Sequence, residues 1–261
     1  MKYMKTLLSA LLSFLPARTL PPATRWQESP LLAQLFRKSN TQGTFVLYDV
    51  SADTYTGLDQ ARASTRFSPA ATFLIPSQLI GLTAGNTVGP SLAMPAENNL
   101  QPSVPMCEQN GGLQRALILS DIQTQGALPH LHAHLLKLEY GNHDVGSKHP
   151  HAFWESGPLA ISALEQTRFL SRLAQGKLPY PTKAQRQTQD LFWLEQGGDW
   201  RLYGTTGWLT DREHPLGWWV GWVEKQGRIY GFALNGDMTE KEDTEACIAL
   251  GKSCLRALGI L

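Results

Sequence analysis

A chain of 261 residues, 42% hydrophobic and 17% charged, is long enough to bury a substantial core and fits one globular unit. Its 23 basic and 22 acidic residues leave a formal net charge of +1, mixed along the chain, so the electrostatic footprint of a nucleic-acid or anionic-lipid binder is missing. Small molecules or other proteins are the expected partners, with no nucleic acid.

Lys2 and Lys5 precede an apolar run from Leu7 to Leu15, followed by Pro16-Ala17 and a Pro-rich stretch to Pro22. That order resembles a secretory signal peptide, and the run is too short to span a bilayer. Residues 1–22 are therefore expected to be a signal and leader, and residues 23–261 a single periplasmic or secreted domain with no membrane insertion after signal removal. No cysteine follows the apolar run to carry a lipid anchor. Cys247 and Cys254 stand seven apart on a predicted helix, about 10 Å along its axis and too far to bridge. With Cys107 they are expected to be buried free thiols.

Ser29-Pro30 opens a helical pattern carrying Leu31, Leu32, Leu35 and Phe36. Residues 43–50 are rich in β-branched and aromatic side chains and read as a strand. Residues 69–83 return to helix, whereas Pro, Asn and Gly recur from Gly85 to Gly112 and predict a loop. Residues 113–139 and 162–196 read as helical. Residues 200–203, 217–223 and 228–234 read as strands, the last two joined through Lys225-Gln226-Gly227 as a hairpin. A closing helix starts near Thr239, with Glu242 completing a capping box. Helices followed by consecutive strands predict an α+β fold with an antiparallel sheet, and no glycine-rich phosphate loop opens a helix.

His130, His132, His134, His143, His149 and His151 fall within 22 residues. His130 and His134 share a helix face, but adventitious surface histidine is the favoured reading and no metal is expected. Alternation puts Trp218 and Trp222 on one strand face and Trp219 on the other, a core pattern rather than a sugar-stacking one.

Seven segments, in order, carry a resemblance: Gln42 to Val46, Phe67-Ser68-Pro69-Ala70-Ala71-Thr72-Phe73-Leu74-Ile75-Pro76, Tyr140-Gly141-Asn142, Phe153-Trp154, Ile161 to Ala163, Tyr203-Gly204-Thr205-Thr206-Gly207-Trp208, and Gly217 to Glu224. Together they resemble the class D, oxacillinase-type β-lactamases from about Trp26 to Leu261. The resemblance implies a serine β-lactamase/DD-peptidase-like fold, an antiparallel sheet flanked by helices with a mainly helical lobe over roughly residues 75–195. It implies no cofactor, and a β-lactam or peptidoglycan-like small molecule as partner.

The family's reaction is acyl transfer by a serine whose base is a carboxylated lysine one helical turn later. Those positions fall here on Ala71 and Leu74. A methyl group cannot form an acyl-enzyme, and an isobutyl group cannot take a proton. Leucine does fill the lysine's apolar pocket without burying an amine. The family's Ser-x-Val motif matches Ser120-Asp121-Ile122, 49 positions after Ala71, in preference to Ser103-Val104. The Lys-Thr-Gly motif reads Thr205-Thr206-Gly207, losing the cation that orients a substrate carboxylate, and Cys247 lies near the position of a second carboxylate-binding cation.

Backbone amides at Ala71 and Trp208 would still form an oxyanion hole. The candidate binding set is therefore Ser120, Tyr140, Asn142, Trp154, Thr206, Gly207 and Trp208, with no intact catalytic residue. Three readings follow: an inactive β-lactam or cell-wall-peptide binder, a divergent hydrolase using Ser120 or Ser68, and a protein-interaction module built on the 85–112 loop. Ser68, one turn before Ala71, is read as an N-cap or first-turn serine.

Overall fold

The computed structural model describes residues 25–83, 128–146, 153–155, 157–209, 215–238 and 243–261. Seven strands make its main sheet: β1 (Arg25–Glu28), β2 (Gly43–Asp49), β3 (Thr54–Leu58), β6 (Trp193–Gln196), β7 (Trp200–Leu209), β8 (Leu216–Lys225) and β9 (Arg228–Asp237), in the spatial order β1-β3-β2-β9-β8-β7-β6. All neighbours are antiparallel except β1 and β3, which run parallel at one edge. A separate two-stranded ladder pairs β4 (Arg66–Phe67) with β5 (Ile161–Ser162).

Local chemistry explains the long strands. Lys225 pairs with Arg228, so β8 and β9 are joined by two residues, Gln226 (φ 50°) and Gly227 (φ 76°). Positive φ at both centres is the backbone that matches the twist of a tight hairpin. Along β8, Trp218, Val220 and Trp222 enter one core cluster while Trp219 and Val223 enter another, as strand alternation requires.

Helices cover both faces. Helix α1 (Pro30–Lys38) begins with proline at its first position and ends on Arg37 and Lys38, cations suited to the negative end of its dipole. With α7 (Asp243–Ala257) it packs on the outer face around Leu32, Phe36, Trp219, Phe232, Cys254 and Leu255. Burial pushes the Cys254 thiol up to about 12, and both described cysteines are buried and form no disulfide.

The inner face carries α2 (Gln60–Ser64), a 3-10 turn (Ala70–Phe73), α3 (Leu74–Thr83), α4 (Leu128–Leu138), α5 (Ala163–Ala174) and α6 (Thr182–Leu191). Helix α5 crosses β2, β8 and β9, and Ser162 and Glu165 form a reciprocal capping box at its start.

The helix expected over 162–196 is corrected: it is two helices separated at 175–181, and Trp193–Gln196 is the edge strand β6. Trp193 is exposed while Leu194 and Glu195 are half-buried, so pairing with β7 decides its conformation. The helix expected over 69–83 starts as a 3-10 turn. The 85–112 loop, Cys107, the 113–127 part of the next helix, and Thr239 to Glu242 lie outside the described residues, as does the leader at 1–22. No helix among the described residues is long and apolar enough to cross a membrane.

Candidate functional site

The 68–74 segment is fixed from three directions. The Ser68 hydroxyl lies 2.7 Å from the carbonyl oxygen of Trp154 and 2.8 Å from that of Glu155, donating its proton between them. The Ser68 carbonyl accepts the Trp218 indole N–H at 2.9 Å, and Ala70 N–H donates to the Trp154 carbonyl at 2.8 Å. From the α5 side, Gln166 donates to the Thr72 hydroxyl at 2.9 Å, and that hydroxyl donates to the Pro69 carbonyl at 2.6 Å.

These contacts hold Ala70 at φ 47°, a left-handed conformation that costs an alanine about 1 kcal/mol. Ala71 follows it, half-buried at the start of the turn. One helical step on, Leu74 is half-buried and packs against the inner core.

Strand β7 lies directly beside this turn, and a glycine permits the approach. A Cβ on Gly207 would stand 2.8 Å from Thr72 Cγ2 and 3.0 Å from both the Pro69 oxygen and the Thr72 nitrogen. Gly207 pairs with Trp218, the residue that clamps Ser68, so strand and turn are locked to one frame.

Thr205 shares the Gly207 side of β7 and is 2% exposed. Its hydroxyl makes a long, 3.4 Å contact with the Thr206 carbonyl. Gly204 N–H donates outward to the Phe192 carbonyl at 2.8 Å; alternation then points the amides of Thr206 and Trp208 to the same outer edge. Both residues are half-buried. The Trp208 ring packs toward the outer core, and its buried indole N–H has no partner among the described residues.

The intact tripeptide Tyr140-Gly141-Asn142 does a different job. Tyr140 is 0% exposed, packs edge-on against Phe73 and Phe169, and burial pushes its phenol far up. Its hydroxyl stands near Thr72 and Gln166 without a well-formed hydrogen bond. Asn142 donates to the Pro158 carbonyl at 2.7 Å and accepts from Ala160 N–H at 3.0 Å and Asp144 N–H at 3.2 Å. Gly141, at φ 59°, could not carry a Cβ, which would stand 2.2 Å from the Ala160 oxygen. Gly141 and Asn142 thus pin the 158–160 segment, while Tyr140 anchors the tripeptide in the aromatic core.

Trp154 is 5% exposed, stacked on Phe73 at 5.7 Å and edge-on to Phe153. Its ring packs on the turn through Phe73, and its carbonyl accepts from Ser68 and Ala70. Cys247 is buried on α7 in the outer cluster, on the sheet face away from the turn. Ser120 lies outside the described residues. The structure therefore gathers Ala71, Leu74, Thr205, Thr206, Gly207 and the Trp208 backbone around one turn, with Trp154 beneath it and Tyr140 and Asn142 behind.

Two residues with a role here had not been singled out for it: Trp218, known from the sequence only as an inward strand residue, and Gln166. Gln166 falls on the same α5 face as Phe169, Leu170 and Leu173, and a polar residue on an otherwise apolar stripe is the signal that could have found it. Among the described residues no group of three metal-ligating side chains occurs.

The penicillin-binding protein transpeptidase domain family matches residues 36–250. The β-lactamase OXA-20 of Pseudomonas aeruginosa is 32% identical over 243 residues, covering 90% of this chain and 89% of that protein; OXA-48 of Klebsiella pneumoniae is 29% identical, with 90% of each covered. The crystal structure of FUS-1 (OXA-85), a class D β-lactamase from Fusobacterium nucleatum, superposes with a TM-score of 0.76 at 30% identity, covering 90% of this chain and all of that one. Shared fold, shared motif order and matches along most of both chains lead to one conclusion: this chain belongs to the class D β-lactamase family.

Proposed function

We propose that this protein is a catalytically inactive class D β-lactamase homologue, exported to the periplasm or secreted, that binds a β-lactam or cell-wall-peptide-like molecule without cleaving it. What supports the reading is that Ala71 and Leu74, the residues the family resemblance aligns with nucleophile and base, stand in a turn whose frame is held in place. An acyl-enzyme needs an oxygen or sulfur lone pair at the first position and a proton acceptor at the second, and neither side chain has one. The Ala71 and Trp208 amides could still polarise a carbonyl, because backbone donors survive side-chain replacement. Thr206 and the Gly207 edge would line the same opening.

The ligand would be held weakly if it carries a carboxylate. Thr205 offers that group no charge, and a carboxylate needs a charged or multidentate partner to offset its desolvation. Hydrolysis through Ser68 is disfavoured by its geometry, since its hydroxyl donates to two carbonyl oxygens and faces no base there. The test is direct: equilibrium binding of a penicillin by isothermal titration, together with nitrocefin turnover. Saturable binding with turnover no faster than buffer supports the proposal; turnover that Ser120→Ala removes would replace it with the divergent-hydrolase reading.

A further inference from the structure

Away from the turn, helix α4 carries a pair of imidazoles, His130 and His134, at the i, i+4 spacing that two metal ligands on one helix use. His130 is exposed and His134 half-buried; four residues apart, they are separated by about 40° around the helix, so both project from one face a single turn apart. His132 is about 200° from His130 and is engaged elsewhere, its Nδ1 lying 2.8 Å from the His143 carbonyl.

His134 has the support that a metal ligand needs. Its Nδ1 lies 2.6 Å from the Tyr180 hydroxyl, and its ring stacks on Tyr180 with centroids 5.8 Å apart. Tyr180 is itself fixed, because the Gln185 amide donates to the carbonyls of Leu178 and Tyr180 and accepts from Leu178 N–H. On the tautomer in which Nδ1–H donates to the phenol oxygen, the Nε2 lone pair is the one left for a metal ion. A partner on the second ring nitrogen is what fixes tautomer and orientation in metal-binding histidines.

We propose that His130 and His134 form a surface site for one borderline divalent transition metal ion, such as Cu2+, Ni2+ or Zn2+, with Tyr180 as the positioning residue for His134. Two imidazoles leave the remaining coordination positions to water, since no group of three or more ligating side chains forms among the described residues. Lys137 places its ammonium over the Tyr180 ring, 4.7 Å from the centroid.

The site is independent of the proposed ligand cleft, so it can fail or succeed alone. Isothermal titration of the full chain with each ion in a non-chelating buffer should show a saturable site that is tightest for Cu2+, following the usual order of divalent affinities. The double substitution His130→Ala/His134→Ala should lower the stoichiometry by one. Tyr180→Phe should weaken that site about tenfold, as loss of an outer partner does. His132→Ala should leave it unchanged. Because His130 is exposed, His130→Gln with an unaltered circular dichroism spectrum checks that the fold is intact. Equal stoichiometry in wild type and double variant, no saturable heat, or equal weakening by His132→Ala would overturn the site.

Discussion

Two turns of this molecule carry family signatures, and they have kept opposite halves of them. At 68–74 the positions aligned with the family's serine and lysine carry Ala71 and Leu74, yet Ser68, Thr72, Trp218 and Gln166 hold the backbone in the left-handed step that precedes Ala71. At 140–142 every signature side chain is present, yet Tyr140 is buried in an aromatic cluster and the Asn142 amide is spent on three backbone groups. Presence of a motif and availability of its chemistry are therefore separate properties. The first turn keeps a frame without a reagent; the second keeps groups that the fold itself consumes.

The comparison breaks most readily at the second turn. Gly141→Ala should cost about 3 kcal/mol, from left-handed backbone and a Cβ driven into the Ala160 carbonyl, measured by urea denaturation. Asn142→Ala should cost about 2 kcal/mol by leaving Ala160 N–H and the Pro158 carbonyl without partners, while any ligand affinity at the 68–74 turn changes little. A loss of affinity without loss of stability would mean that Asn142 serves the ligand after all. At the first turn, Leu74→Lys should cost about 1–2 kcal/mol, because the half-buried apolar pocket must take an amine. Ala70→Gly should be the smallest effect, a gain of about 0.5 kcal/mol as the left-handed penalty is relieved and part of it is offset by chain entropy.

A pH measurement sharpens the frame between the two turns. Burial raises the Glu165 carboxyl, but hydrogen bonds from Arg66 and Ser162 outweigh it and leave the group below its ordinary value of 4.5. A depressed folded value stabilises the protein above the unfolded value and is lost as pH falls through the folded one. Wild type should therefore lose stability below about pH 4.5 more steeply than Glu165→Gln, in thermal melts across that range.

Much of the fold was legible before any coordinates. Ser29-Pro30, the β-branched run at 43–49, and the Gln226-Gly227 turn carry their conformations in local chemistry, and the alternation of Trp218, Trp219 and Trp222 was readable from period two. Strands β1, β3 and β6 were not, because segments of four or five residues are too short to carry a decisive pattern and become strands when a neighbour supplies the ladder. At the site, the resemblance to the family's motifs is what pointed to Ala71, Leu74 and Thr205. Spacing could not reveal that Trp154 contributes a carbonyl to Ser68, 86 residues away in sequence, or that Asn142 binds a segment 16 to 18 residues further on. Such pairings belong to tertiary structure, and no local pattern encodes them.

The central claim is that the turn has a frame but no nucleophile. Intact-mass analysis after incubation with excess benzylpenicillin tests it most directly. The account predicts an unmodified chain at every time point; a covalent adduct that maps to Ser68 or Ser120 would contradict it.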